Sequence, residues 1–252
     1  MNRFFVDRKN ILGEKQRILV DDIESIKHIS KVLRLKEGDS VEICDGESRL
    51  YLGEIVQISK REIEFKILDS FTAEGEPTIE VTLFQGIPKG AKMEMIVQKC
   101  TELGIHRIVP LASDRSVVQL KDRKEEMKKV ERWQKIAEEA AKQSKRIRIP
   151  QVEYPITLNQ MTAGIENMDL LIIPYEKEKE CSLKTVLREY KEAKKIGVLI
   201  GPEGGFEESE IQFAKNLGII PITLGKRILR TETAGLTVVS ILMYELGDLG
   251  GI

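Results

Sequence analysis

Two segments near the end of the chain combine glycine with apolar neighbours in a way suited to holding a flat ligand. Residues 199–206 read Leu-Ile-Gly-Pro-Glu-Gly-Gly-Phe, and residues 224–234 read Leu-Gly-Lys-Arg-Ile-Leu-Arg-Thr-Glu-Thr-Ala. Each follows an apolar run that predicts a short buried strand, over 197–200 and 221–224, and each runs into a helical pattern. Loops with so little side-chain bulk bring bare backbone N–H and C=O groups up to one ligand. No Gly-Lys-Ser/Thr follows the glycines, so neither is a Walker A loop, and neither fits Gly-x-Gly-x-x-Gly. Beside the second segment stand Arg230, a planar fork able to orient phosphate or carbonyl oxygens, and Glu232, the nearest carboxylate candidate for a proton acceptor, with Glu203 and Glu176 as others. Arg230 and Glu232 read equally well as an ion pair or a helix cap.

Holding such loops in register needs a sheet. From residue 79 onward strands and helices alternate, with strands predicted over 79–84, 107–111, 169–173, 197–200 and 221–224 and helices over 89–103, 123–144 and 231–246. The helices are expected to turn inward Met95, Ile96, Cys100 and Leu103, then Met127, Val130, Ala137, Ala140 and Ala141, then Leu236, Val239, Ser240 and Met243. This alternation predicts an α/β domain with a mostly parallel sheet covered on both faces, and ligands outside the carboxyl ends of its strands. Three strand ends then qualify: 173–176, 200–206 and 224–230.

Residues 1–72 behave differently. Short alternating stretches over 17–20, 40–44, 51–58 and 62–68 are separated by turn signals at 36–39 and 45–46, and helical period is confined to 21–32. That pattern predicts a small β-barrel domain. Residues 73–78 read as a linker, and 79–252 as the α/β domain.

Composition removes several classes of function. With 41% hydrophobic and 32% charged residues the chain is globular, not disordered. A net charge of −1 gives no bulk sign of nucleic acid, and 5% aromatic content argues against single-strand binding by stacking alone. The distribution of charge says more: Lys142, Lys145, Arg146 and Arg148 follow one another between 141 and 150 with no acid among them, a stripe able to meet phosphates or simply a solvated face. Cys44, Cys100 and Cys181 are far apart and read as reduced thiols, and His28 and His106, the only histidines, leave no metal-ligand spacing. No apolar run reaches membrane-spanning length, and Asp7, Arg8 and Lys9 interrupt the first one, so a cytoplasmic protein is expected.

The two glycine segments, in this order and before a last apolar helix, resemble the bacterial small-subunit (16S) ribosomal RNA uridine-N3 methyltransferases of the SPOUT class. The resemblance extends through Arg3-Phe4-Phe5-Val6, through His28 and Val32-Leu33-Arg34-Leu35 to Gly38-Asp39, and through residues 98–104, Gln-Lys-Cys-Thr-Glu-Leu-Gly. It implies a PUA-like N-terminal β-barrel, a C-terminal α/β domain tied in a trefoil knot, S-adenosylmethionine as cofactor, ribosomal RNA or the small subunit as partner, and a homodimer. It places Leu224, Ile228 and Leu229 around the adenine, Gly201 and Gly205 against the ribose and methionine portions, and Thr233 and Ala234 on the wall. Ile173, Pro174, Leu199, Ile200 and Gly225 complete the implied cofactor set. Arg230 and Glu232 become the catalytic candidates, and Arg3, His28, Arg34, Lys142, Lys145, Arg146 and Arg148 the RNA-facing ones. Two other readings stay open: an RNA methyltransferase of the same fold acting on another base or a ribose 2′-hydroxyl, and a non-catalytic RNA-binding or ribosome-assembly protein. The chain departs from the family at Glu207, where a small hydroxyl residue is usual, so the following helix is expected to be capped by Ser209 with Gln212.

Overall fold

Residues 2–13, 16–72, 75–113 and 123–251 are described by the structure, a computed structural model. The chain divides into two compact units, Met1–Glu76 with Ala141–Ile149, and Pro77–Ala140 with Pro150–Ile252. The division falls inside the expected linker, whose residues 73 and 74 lie outside the described residues. A nine-residue segment, which contiguous domains at 1–72 and 79–252 do not foresee, clusters with the N-terminal unit.

In the first unit, β1 (Arg3–Phe5), β2 (Ile11–Leu12), β3 (Arg17–Val20), β4 (Ser40–Cys44), β5 (Arg49–Ile58) and β6 (Ile63–Thr72) form one sheet in the order β1-β4-β5-β6-β3-β2. Every pairing is antiparallel except β1 with β4. Alternate residues Ile18, Val20, Val41, Ile43, Ile55, Ile63 and Phe65 point to one core, and this period of two is what made the strands legible. Two register shifts between β5 and β6 curl the sheet. The expected helix over 21–32 is shorter: α1 (Ile23–Lys27), capped by the Asp22 carboxylate on Ser25 N at 2.7 Å, is followed by a wide turn in which Leu33 N donates to His28 O.

The second unit holds β7 (Glu80–Gly86), α2 (Lys92–Glu102), β8 (Arg107–Ala112), α3 (Arg123–Gln143), β9 (Gln151–Val152), β10 (Ile156–Thr157), β11 (Leu170–Pro174), α4 (Leu183–Glu189), β12 (Lys195–Ile200), α5 (Glu208–Asn216), β13 (Ile220–Ile222) and α6 (Thr231–Glu245). From Ala141 on, α3 belongs to the first unit. The sheet runs β10-β8-β7-β12-β11-β13 with β9 also on β8, and all its pairings are parallel. The α/β architecture expected from the alternation is therefore present. Among the described residues no helix is long and apolar enough to cross a membrane.

Several helix faces need correction. In α2 the covered stripe is Met93, Ile96, Val97 and Cys100, while Met95 is 40% exposed. In α3 Met127 is 48% exposed and Trp133 packs inward with Ala137 and Ala140. An unbranched Met at a stripe's edge fits either face, so spacing alone misplaces it. The first turn of α5 is not handed on to Ser209: the helix begins at Glu208, and Glu207 N donates to Glu210 Oε2 at 2.8 Å. Cys44 and Cys100 are buried free thiols, each pushed up to about 12 by that burial.

Candidate functional site

Because β7, β12, β11 and β13 are parallel neighbours, their carboxyl ends lie on one edge of the sheet. Ile200 is in register with Gln85, and Tyr175 N donates to Ile222 O at 3.0 Å, so the loops leaving these strands start side by side. This crowding requires a glycine at position 86 and favours one at position 201. A Cβ on Gly86 would stand 2.5 Å from Pro202 N and 2.7 Å from Gly201 C, and one on Gly201 would stand 3.1 Å from Gly205 Cα. Gly205 (φ +68°) and Gly225 (φ +104°) also occupy the left-handed region that side chains avoid. The hydroxyl of Thr231, the first residue of α6, donates to Gly201 O at 2.6 Å and ties the second glycine segment to the first.

The structure brings the predicted residues of the three strand ends to this edge, with different exposures. Ile173, Leu199 and Ile200 are buried, so their side chains belong to the core. Pro174, Gly201, Gly205, Leu224, Leu229 and Ala234 are half-buried, and Gly225 and Thr233 are exposed. Ile228 is 89% exposed, an apolar side chain held almost wholly in solvent. Arg230 is exposed at the N-cap of α6, and its side chain makes no capping bond.

The charged groups beside these loops include one cation that sequence reasoning missed. Lys92, in the first turn of α2, places Nζ 2.7 Å from Glu203 Oε1 and 3.8 Å from Glu232 Oε2. Lys89 N also donates to Glu203 Oε1, at 3.1 Å. Burial would raise the Glu203 carboxyl, but the Lys92 hydrogen bond, the N–H donors and the Lys92 charge outweigh it and hold the group below its ordinary value. The Glu232 side chain is only 13% exposed, and its Oε2 is buried without a hydrogen-bond partner among the described residues. Glu232 thus faces Lys92, and the alternative pairing with Arg230 is not formed. Gln85, also missed, is fully buried at the end of β7. The available signal was a lone amide closing an apolar strand before Gly-Ile-Pro-Lys-Gly. A surface cavity of about 410 Å³ lined by Asp169, Leu170, Leu217 and Ile220 lies at the amino ends of β11 and β13, the wrong edge for these loops.

In the first unit the residues expected to face RNA separate into two groups. His28, Arg34 and Lys145 are exposed, with His28 set edge-on to the Phe4 ring at 6.1 Å. Lys142 and Arg148 are half-buried. Arg3 and Arg146 are corrections. The Arg3 guanidinium pairs with Glu42 at 2.8 Å and donates to the Lys145 and Arg146 carbonyls. Arg146 is buried, its guanidinium 2.6 Å from Glu76 Oε2, while Ile147 N and Arg148 N both donate to Glu76 Oε1 at 3.0 Å. Both arginines spend their donors inside the unit, fixing the returning segment instead of reaching outward. Among the described residues no group of three or more His, Cys, Asp or Glu side chains could hold a metal ion.

The arrangement can be set beside known proteins. An RNA methyltransferase domain family matches residues 74–243, and an RNA methyltransferase PUA domain family matches residues 20–68. The ribosomal RNA small subunit methyltransferase E of Bacillus subtilis (strain 168) is 34% identical over 100% of this chain and 99% of its own. The chain belongs to the ribosomal RNA small subunit methyltransferase E family. Another member, from Aquifex aeolicus (strain VF5), is 34% identical over 86% of this chain and 90% of its own. A solved member from Neisseria gonorrhoeae, bound to S-adenosyl methionine, superposes with a TM-score of 0.87 at 30% identity, covering 99% of each chain. The resemblance carried by the glycine segments is borne out, and the curled N-terminal sheet is the PUA domain of this methyltransferase E family.

Proposed function

We propose that this protein transfers the methyl group of S-adenosylmethionine to N3 of a uridine in small-subunit ribosomal RNA. The observation that carries the proposal is the whole-chain likeness to a family member holding that cofactor, combined with an edge at which two glycine segments present bare backbone. Leu224, Leu229 and the exposed Ile228 would enclose the adenine, with backbone around Gly225 reading its edge. Gly201 and Gly205 would approach the ribose and methionine parts. The trefoil threading of the SPOUT class is extended to this chain by the same likeness; the contact of Gly86 with Pro202 is the kind of close passage that threading requires.

The sulfonium methyl is already activated, so the protein's task is alignment and charge. With S-adenosylmethionine bound, the chain's residues would hold N3 of uridine in line with that methyl carbon and take up the N3 proton, and S-adenosylhomocysteine would be the by-product. Glu232 is the acceptor this geometry favours, since Oε2 has no hydrogen bond to surrender. Arg230, exposed beside it, would meet the uracil carbonyls or a phosphate as charge develops. The base must be unpaired for its Watson–Crick edge to be reached. RNA is gripped by the exposed His28, Arg34 and Lys145 of the PUA unit. Two copies pair through the apolar α6, where Tyr244 is 67% exposed.

Labelled S-adenosylmethionine with small ribosomal subunits from cells lacking the protein tests this directly. Digested RNA should yield 3-methyluridine; a different methylated nucleoside in the mass spectrum would move the target to another base or to the ribose.

A further inference from the structure

The β7 end contributes a buried amide whose hydrogen bonding is only half met. Gln85 is 0% exposed. Its Nε2 donates to Gly86 O at 3.0 Å and to Thr231 Oγ1 at 2.9 Å, while its Oε1 has no hydrogen-bond partner among the described residues. A buried amide with an unmet oxygen is destabilising relative to an apolar side chain of the same shape. The surroundings nevertheless make room for it: a Cβ on Gly235, one turn into α6, would stand 3.1 Å from that oxygen. A small residue is thus kept in a helix, against propensity, on the face that receives the amide.

The bond to Thr231 also sets a direction. A hydroxyl carries one proton, and because Gln85 donates into Oγ1 that proton is left to point at Gly201 O, 2.6 Å away. The chain Gln85 → Thr231 → Gly201 runs from the buried core to the half-buried loop and joins three pieces of the edge: the end of β7, the first residue of α6 and the glycine loop after β12. Arg230 and Glu232 flank Thr231 in sequence, so the same chain fixes where α6 begins relative to both candidate groups.

The structure assigns Gln85 as a positioning residue for the cofactor and reacting groups, kept for the direction of the Thr231 hydroxyl and not for fold stability. The assignment rests on the reading that this edge holds S-adenosylmethionine. It distinguishes Gln85 from an ordinary core amide, whose removal would lower stability and function together.

The test uses the full chain and four proteins: wild type, Gln85→Met, Thr231→Val and Thr231→Ser. Each is followed by thermal unfolding, by calorimetric titration with S-adenosylmethionine, and by kcat and KM in methyl transfer. Gln85→Met removes the unmet oxygen together with the two donated bonds, so its Tm should stay within about 4 °C of wild type. Its Kd for the cofactor should rise about five- to tenfold, the scale of one lost hydrogen bond, with KM for the cofactor rising in step. Thr231→Val should weaken binding to the same extent, and Thr231→Ser, which keeps the hydroxyl, should restore it. Unchanged cofactor affinity in Gln85→Met overturns the assignment. So does a steep fall in Tm, because Gln85 would then be structural. Weak binding by Thr231→Ser equal to that of Thr231→Val also overturns it, since the hydroxyl would not be the relevant group. Wild type that binds no S-adenosylmethionine overturns the cofactor reading itself and this assignment with it, and that failure is read before any variant is compared.

Discussion

At the residue scale the site turns on one ammonium shared between two carboxylates. Lys92 is 2.7 Å from Glu203 and 3.8 Å from Glu232, so its hydrogen bond goes to the glycine loop, and Oε2 of Glu232, the proposed proton acceptor, is left without one among the described residues. Glu232→Gln keeps the shape and removes the basicity. Its kcat should fall by about 10²-fold or more, the usual worth of a positioned base, with cofactor Kd unchanged by calorimetry. An equal loss in cofactor affinity would make Glu232 part of the cradle instead. Lys92→Met should act differently, freeing Glu203 and loosening the loop that begins at Gly201, so that KM for the cofactor rises while kcat changes less. This scale was also the least legible in the sequence. The glycines announce themselves because only they tolerate close backbone approach, but Gln85 and Lys92 matter through partners 146 and 111 residues away. Arg3 and Arg146 misled for the same reason: a basic side chain reads as solvated until Glu42 and Glu76, distant in sequence, are seen beside it.

At the element scale, the strands that alternate were readable and the very short ones were not. β3 and β4 fall on 17–20 and 40–44 as the period of two predicts, because one face of each is covered and the other is wet or half-covered. β1, β2, β9 and β10 have two or three residues each and exist only through their pairing, which leaves no local pattern. The segment that returns from α3 into the PUA unit is held by an element-level device, the Glu76–Arg146 pair with its two N–H donors. Burial would raise the Glu76 carboxyl, yet the Arg146 hydrogen bond and charge, with the Arg148 and Ile147 N–H groups, hold it below its ordinary 4.5. A depressed folded-state value means that the unfolded chain takes up the proton first. The stabilisation is therefore complete above the ordinary carboxylate range and is lost as pH falls through the lower folded value. Acid titration of wild type should show that loss below pH 4.5, and Glu76→Gln should flatten this limb while lowering stability at neutral pH by about 3 kcal/mol. A second element-level prediction concerns Gly86, where a methyl would meet Pro202 backbone that has no rotamer to yield. Gly86→Ala should destabilise by about 1–3 kcal/mol in denaturant unfolding, with no gain in cofactor affinity.

At the scale of the whole molecule, a parallel α/β sheet follows from the order of elements, whereas threading does not. Nothing in hydrophobic period tells which loop passes through which, so the knot entered only by likeness to a family. Bulk charge was similarly uninformative, because −1 is a sum over 40 cations and 41 acids and conceals where they lie. RNA recognition by such a protein must come from a local field, and the structure narrows the candidates. Arg3 and Arg146 are consumed internally, while Arg34 and Lys145 are exposed in the PUA unit, each with positive φ (+54° and +58°). A backbone held in the left-handed region costs a non-glycine residue stability, which is tolerable where a side chain must leave a turn in a set direction. If these two cations meet phosphates, binding of small-subunit RNA should weaken linearly in the logarithm of salt concentration. Arg34→Gln and Lys145→Gln should then each weaken affinity across RNA sequences alike and reduce that slope by about one. Fluorescence anisotropy over a range of potassium chloride reads both quantities at once. Unaltered slopes in the double variant would move the RNA surface elsewhere on the protein, leaving the cofactor edge, its loops and their chemistry untouched.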